Sequence, residues 1–174
     1  MTTASKLTIS RIVLIPVVLV LLYLDFPGAN WVALAVFIAA SLTDLLDGYI
    51  ARRYHQVTDF GKFMDPLADK MLVLSVLCCF VERQRFSGAV LAVVLFREFA
   101  VSGMRLVAAE QGRVIAAAMS GKIKTASTMA CICLMLAFDA AWLDALSAAV
   151  IALTTLWSGV EYFAKNRDVF AQKT

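Results

Sequence analysis

The amino-acid sequence predicts an all-α integral membrane protein, a bundle of six transmembrane helices with a polar cavity on its cytoplasmic side, and three observations predict it. The first is composition. Of 174 residues, 61% are hydrophobic and 17% charged, with a mean hydropathy of +0.82, whereas a soluble domain carries about 45–50% apolar and about 25% charged residues. The second is distribution: the apolar residues collect in six runs, Leu7–Leu24, Trp31–Leu46, Pro66–Val81, Ser87–Ala109, Ile123–Phe138 and Trp142–Phe163. Each approaches the roughly 20 residues that a helical span requires. The third is the placement of charge. If the six runs cross a membrane in turn, fourteen of the sixteen basic residues fall on one side and only Arg83 and Arg85 on the other. Basic residues in short loops mark the cytoplasmic face, so both termini are expected there.

The elements follow in order. The first run is followed by Asp25, Phe26 and Pro27 rather than by a small-residue cleavage site, so it reads as a retained span and not a signal peptide. Pro27-Gly28 marks the turn into the second helix, and Phe86, Ser87 and Gly88 open the fourth after the charged run Glu82–Arg85. Residues 1–174 read as a single domain, with no internal repeat and little chain left for a soluble module. Trp31 and Trp142 begin helices at the outer boundary and fit an interfacial aromatic belt. The four cysteines, Cys78, Cys79, Cys131 and Cys133, sit in apolar runs without the paired spacing of a zinc site and read as packing or lipid-facing residues. His55 stands in a polar stretch and is given no role.

Several runs are cut short on the cytoplasmic side by charges, as at Asp44, Asp69, Arg97 and Lys124. Ionisable groups at membrane depth are costly unless they face a wet cavity or a partner, hence the expected polar cavity. The densest group lies where the second helix ends in Thr43-Asp44-Leu45-Leu46-Asp47-Gly48-Tyr49-Ile50-Ala51-Arg52 and the third begins in Gly61-Lys62-Phe63-Met64-Asp65-Pro66-Leu67-Ala68-Asp69. Residues three, four and seven apart share a helix face. Asp44, Asp47, Gly48 and Ala51 therefore line one stripe, and Gly61, Asp65 and Asp69 line another if the helix persists. Pro66 leaves two readings: a first helical turn with Asp65 near the cap, or a kink. Four carboxylates brought together in a low-dielectric setting require a cation between them. A carboxylate-only set suits a hard ion, Mg2+ or Mn2+, and magnesium shares its coordination with substrate phosphates. Gly48, Ala51 and Gly61 would let a bulky ligand approach the backbone.

The pattern Asp, two residues, Asp-Gly, two residues, Ala-Arg, then Gly, three residues, Asp, three residues, Asp resembles the signature of the CDP-alcohol phosphatidyltransferase family. All its positions are present as Asp44, Asp47, Gly48, Ala51, Arg52, Gly61, Asp65 and Asp69. The resemblance implies an enzyme that transfers a phosphatidyl group from a CDP-linked lipid to an alcohol and releases CMP. It implies that Asp44, Asp47 and Asp65 bind divalent metal on the diphosphate, with Asp69 as the matching general base and a further candidate ligand. Gly48, Ala51, Arg52 and Gly61, together with Thr8 and Arg11, are the expected contacts to the CDP-lipid. Related enzymes are dimers, and a homodimer is implied in the same way.

The acceptor is narrowed by three further segments: Leu7-Thr8 with Arg11 and Pro16, Arg97-Glu98-Phe99-Ala100-Val101-Ser102-Gly103-Met104-Arg105, and Gly121-Lys122-Ile123-Lys124-Thr125. These resemble the branch of the family that makes phosphatidylglycerophosphate from CDP-diacylglycerol and glycerol 3-phosphate, with Thr128 a departure where that branch often carries Gln. The acceptor is a dianion and needs fixed cations, which Arg97, Arg105, Lys122 and Lys124 could supply. Glu98 shares a stripe with Arg105 and could orient Arg105 or Arg97. The competing readings are the same family with inositol phosphate, serine or phosphatidylglycerol as acceptor, and a magnesium-dependent membrane prenyltransferase. The prenyltransferase needs more spans and lacks the Gly48, Ala51 and Arg52 framing. An ion transporter would spread its acids through the membrane depth rather than gather them at one face.

Overall fold

The computed structural model describes the backbone of residues 3–24, 26–53, 59–113, 115–116 and 118–169, and the side chains of residues 12–24, 26–43, 70–113, 115–116 and 118–169. Among the described residues the chain is helical, with no strand: α1 (Thr3–Tyr23), α2 (Ala29–Arg53), α3 (Asp59–Glu82), α4 (Gly88–Glu110), α5 (Met119–Ala137), α6 (Ala141–Lys165) and the short 3-10 turn η1 (Arg167–Val169). Each helix coincides with one of the six apolar runs. α2, α3 and α5 continue beyond their runs into charged sequence, to Arg53, from Asp59 and from Met119. Charge ends an apolar run, but a helix ends only where its backbone hydrogen bonds find other partners. The helices fall into two compact units, Met1–Glu82 with Leu136–Asp139, and Arg83–Met135 with Ala140–Thr174.

In the first unit α1 packs against both α2 and α3. Its buried stripe is Ile15, Val18 and Leu22, and α2 answers with Ala29, Ala33, Phe37 and Ala40. Three alanines on one stripe allow two helix backbones to approach closely, which matters where lipid gives no hydrophobic drive to helix pairing. α3 contributes Leu72, Val76, Leu77 and Phe80. Gly28 takes φ +91° in the turn before α2, a conformation that a side chain would strain. The Tyr23 hydroxyl donates to the Glu82 carboxylate and ties the end of α1 to the end of α3. Trp31 is exposed and meets Phe138 edge to face at 6.5 Å.

In the second unit α4 packs against α6 and η1. The buried stripe of α6 is Leu143, Asp144, Ser147, Ile151, Thr155, Ser158 and Tyr162, whereas Leu146, Leu153, Leu156, Trp157 and Val160 are exposed. Polar groups inside and large apolar side chains outside are the pattern of a helix solvated by hydrocarbon. α6 is also long and apolar enough to cross a membrane. α4 behaves similarly, burying Glu98 while exposing Phe96, Phe99 and Leu106. Its C-terminus closes in a Schellman turn. The Arg113 amide donates to the Ala108 carbonyl and the Gly112 amide to that of Ala109, with Gly112 at φ +72°. Val101, Met104, Ala108, Tyr162 and Val169 form one cluster. Gln111 donates to the Val169 carbonyl at 3.2 Å and Arg113 to Asp168 at 2.7 Å, which holds η1 to the end of α4.

At the other end of this unit Arg85 makes a two-pronged ion pair with Asp144, Nε to Oδ2 at 2.9 Å and Nη2 to Oδ1 at 2.9 Å. Its Nη2 also donates to the Met135 carbonyl at 2.8 Å. Asp144 lies in the first turn of α6, where the helix dipole favours a negative charge. A cavity of about 390 Å3, lined by Gln84, Arg85, Phe86, Ser87 and Asp144 among others, opens beside the pair.

Candidate active site

The signature acids lie on continuous helix. α2 runs through Asp44, Asp47, Gly48, Ala51 and Arg52, and α3 begins at Asp59 and runs through Gly61, Asp65 and Asp69. Helical backbone is the condition on which the two shared stripes depend. Pro66 is the eighth residue of α3, so the first-turn reading is replaced by an interior proline. Thr8 and Arg11 lie in α1. The side chains of Thr8, Arg11, Asp44, Asp47, Gly48, Ala51, Arg52, Gly61, Asp65 and Asp69 fall outside the described residues, as does His55 altogether.

The four cations expected to meet the acceptor phosphate all lie in the second unit and divide into two kinds. Arg105 and Lys122 are exposed. Arg105 donates from Nε to the Tyr162 hydroxyl at 3.1 Å and lies 5.6 Å from the centre of that ring. A guanidinium so placed keeps its charge available while its plane is held by an aromatic face.

Lys124 is buried and Arg97 largely so, and one carboxylate oxygen serves both. Glu98 Oε1 accepts from Arg97 Nη1 at 2.9 Å and from Lys124 Nζ at 2.8 Å. About a tenth of each side chain reaches the surface, 12% for Arg97, 10% for Glu98 and 6% for Lys124. Arg97 Nη2 donates to Ser158 Oγ of α6 at 2.6 Å. The arginine side chain passes two glycines: a methyl added at Gly159 would sit 3.4 Å from Arg97 Cγ, and one at Gly121 would sit 3.5 Å from Nη2. Glu98 therefore orients Arg97, one of the two partners its sequence position suggested, and adds Lys124, 26 residues away. The long Arg105 side chain turns outward to Tyr162 although its Cα shares the Glu98 stripe.

Sequence reasoning missed Ser158, Gly159 and Tyr162, which hold these cations from α6, and the Arg85–Asp144 pair. The available signal was the polar periodicity of Ser147, Thr155, Ser158 and Tyr162 within a strongly apolar run, where a buried polar stripe requires partners. Thr128, the departure from the related branch, is buried and donates to the Lys124 carbonyl one turn earlier at 2.8 Å. It thus keeps its hydroxyl bonded within α5.

Residues 1–159 match the family described as CDP-alcohol phosphatidyltransferase. A protein of Bacillus subtilis (strain 168) named CDP-diacylglycerol–glycerol-3-phosphate 3-phosphatidyltransferase is 38% identical, covering 93% of this chain and 93% of its own length. A protein of the same name from Salmonella choleraesuis (strain SC-B67) is 36% identical over 94% of this chain and 93% of its own. One from Rickettsia bellii (strain RML369-C) is 44% identical over 58% of this chain and 56% of its own. With the eight signature positions intact on helical backbone and a family match that covers both helical units up to the last turns of α6, the chain belongs to the CDP-alcohol phosphatidyltransferase family.

Proposed function

We propose that this chain transfers the phosphatidyl group of CDP-diacylglycerol to sn-glycerol 3-phosphate, giving phosphatidylglycerophosphate and CMP. The observation that carries the reading is similarity along nearly the whole chain to relatives named for that reaction. The residues are chemically suited to it. An anionic acceptor calls for fixed positive charge, and α4 and α5 supply Arg97, Arg105, Lys122 and Lys124. A neutral alcohol such as inositol would leave that charge unanswered.

The donor set Asp44, Asp47, Asp65 and Asp69 is all carboxylate, which fits Mg2+ or Mn2+, and the helical course of α2 and α3 through these positions supports two facing stripes. A divalent ion held there would neutralise charge that develops on the diphosphate oxygens during transfer. Asp69 takes the proton of the acceptor hydroxyl as its oxygen bonds to phosphorus, and CMP leaves. Thr8, Arg11, Gly48, Ala51, Arg52 and Gly61 seat the CDP-lipid. The surrounding frame is six membrane spans with both termini and a polar cavity on the cytoplasmic side of the cell membrane. The support is the six helices, the inside-out polarity of α4 and α6, and the one-sided distribution of basic residues. A homodimer rests on the family resemblance.

The test is CMP release from radiolabelled CDP-diacylglycerol by the full chain in detergent, with acceptors supplied singly. Release that depends on glycerol 3-phosphate and divalent metal is expected. Release that depends instead on inositol phosphate, serine or phosphatidylglycerol would reassign the acceptor.

A further inference from the structure

Two largely buried cations share a single carboxylate oxygen in the second unit, and three helices cooperate to hold them. Among the described residues, Arg97 and Lys124 both meet the one carboxylate oxygen Glu98 Oε1. Arg97 Nε is buried with no hydrogen-bond partner. Two cations on one carboxylate oxygen and an unsatisfied donor in a low-dielectric interior are costly. An apolar trio of similar volume would serve packing better, so this arrangement is poorly explained as a device for stability alone. Both costs are relieved when an anion arrives.

The seat is also shaped. Ser158 fixes one Nη of the guanidinium and Glu98 the other, at 2.6 Å and 2.9 Å. A methyl added at Gly159 would touch the arginine stem, 3.4 Å from Cγ, so a larger side chain there would displace it. Held at both ends of its fork, Arg97 has little freedom left to lose when a phosphate binds, and preorganised donors bind more tightly for that reason.

We propose that Glu98 and Ser158 are positioning residues for the acceptor phosphate: Glu98 holds Arg97 and Lys124 together on one carboxylate oxygen, and Ser158 fixes the Arg97 guanidinium. The proposal rests on the reading that the acceptor carries a phosphate. Ser158 and Glu98 act through the two cations and not on the reacting atoms.

The experiment measures kcat and the two KM values, for glycerol 3-phosphate and for CDP-diacylglycerol, with the full chain in detergent and saturating Mg2+. Ser158→Ala is expected to raise the acceptor KM about tenfold, the scale of one hydrogen bond to a charged group, with the CDP-lipid KM unchanged. Ser158→Thr, which keeps the hydroxyl, should recover most of the loss. Gly159→Val should push Arg97 aside and raise the same KM without touching Glu98. Ser158→Ala added to Arg97→Lys should do little more than Arg97→Lys alone, since the serine works through the guanidinium. Equal rises in both KM values, additive effects in that pair, or a lowered melting temperature with unchanged KM values would overturn the positioning role. If wild-type turnover requires a different alcohol, the acceptor reading fails on its own. The same KM split with the alcohol that works then decides the positioning role, which an uncharged acceptor unaffected by Ser158→Ala would refute.

Discussion

Replacing Asp144 by Ala removes the carboxylate from a guanidinium that the fold has largely withdrawn from solvent. Arg85 and Asp144 expose 12% and 10% of their side chains, and two hydrogen bonds of 2.9 Å link them. Deleting one partner of a fully buried pair costs about 3–5 kcal/mol, because the remaining charge stays desolvated. Here the neighbouring cavity of about 390 Å3 gives water a route to the guanidinium, which places the cost near the lower end, about 3 kcal/mol. Part of that reflects weakened anchorage of the α3–α4 turn to α5, since Arg85 also donates to the Met135 carbonyl. The loss should appear as a lower melting temperature in detergent, followed by tryptophan fluorescence, and the charge-free pair Arg85→Met with Asp144→Ala should regain most of it. Catalysis below the melting transition should be unaffected. Asp144 precedes Ser158 by fourteen positions on α6, about 21 Å along the axis at 1.5 Å per residue. A melting temperature within a degree of wild type, or a selective rise in the acceptor KM, would refute this account.

Three further outcomes are expected. Glu98→Gln should destabilise the chain by about 3 kcal/mol, since it removes the carboxylate from two largely buried cations, whereas Lys124→Met leaves a matched Arg97–Glu98 pair and should cost much less. Comparable melting temperatures for the two variants would contradict the two-to-one arrangement. Asp65→Asn should abolish transfer with the fold intact, and Asp69→Asn should lower kcat by about two to four orders of magnitude while CDP-lipid and metal binding persist. Turnover of Asp69→Asn restored by excess manganese would make that residue a ligand instead. Finally, the Asp168 carboxyl is held below its ordinary value of 3.8, chiefly by the hydrogen bond from Arg113. A carboxylate with a depressed value stabilises the folded state above the unfolded value and loses that contribution as pH falls through the lower folded one. Hydrogen exchange at the Val169 amide should therefore be protected at neutral pH and lose protection only below about pH 4. In Arg113→Ala protection should be lower at neutral pH and should lose that pH dependence, and identical profiles in the two proteins would show that the pair does not hold η1.

Six helices were legible in the sequence because each coincides with a long apolar run, and a segment bounded by hydrocarbon must bond its backbone groups within itself and be apolar over a fixed length. The breakers Pro27-Gly28 and Ser87-Gly88 stand where that rule predicts ends. The extent of α2, α3 and α5 was not legible from hydropathy, since helix continues into charged sequence wherever its own hydrogen bonds can be made. The acidic signature was readable for another reason. Its chemistry depends on residue type and short helical spacing, both of which are written locally. What only the tertiary structure decided is who partners whom among the cations. Glu98 meets Lys124 across 26 residues, Arg97 meets Ser158 across 61, and Arg85 meets Asp144 across 59. Helical period places Glu98 on the same stripe as Arg105, but it cannot say which neighbouring helix offers a carboxylate, a hydroxyl or the gap left by a glycine. Those choices follow from how α4, α5 and α6 pack, because a long basic side chain takes the partner it can reach from a buried stem.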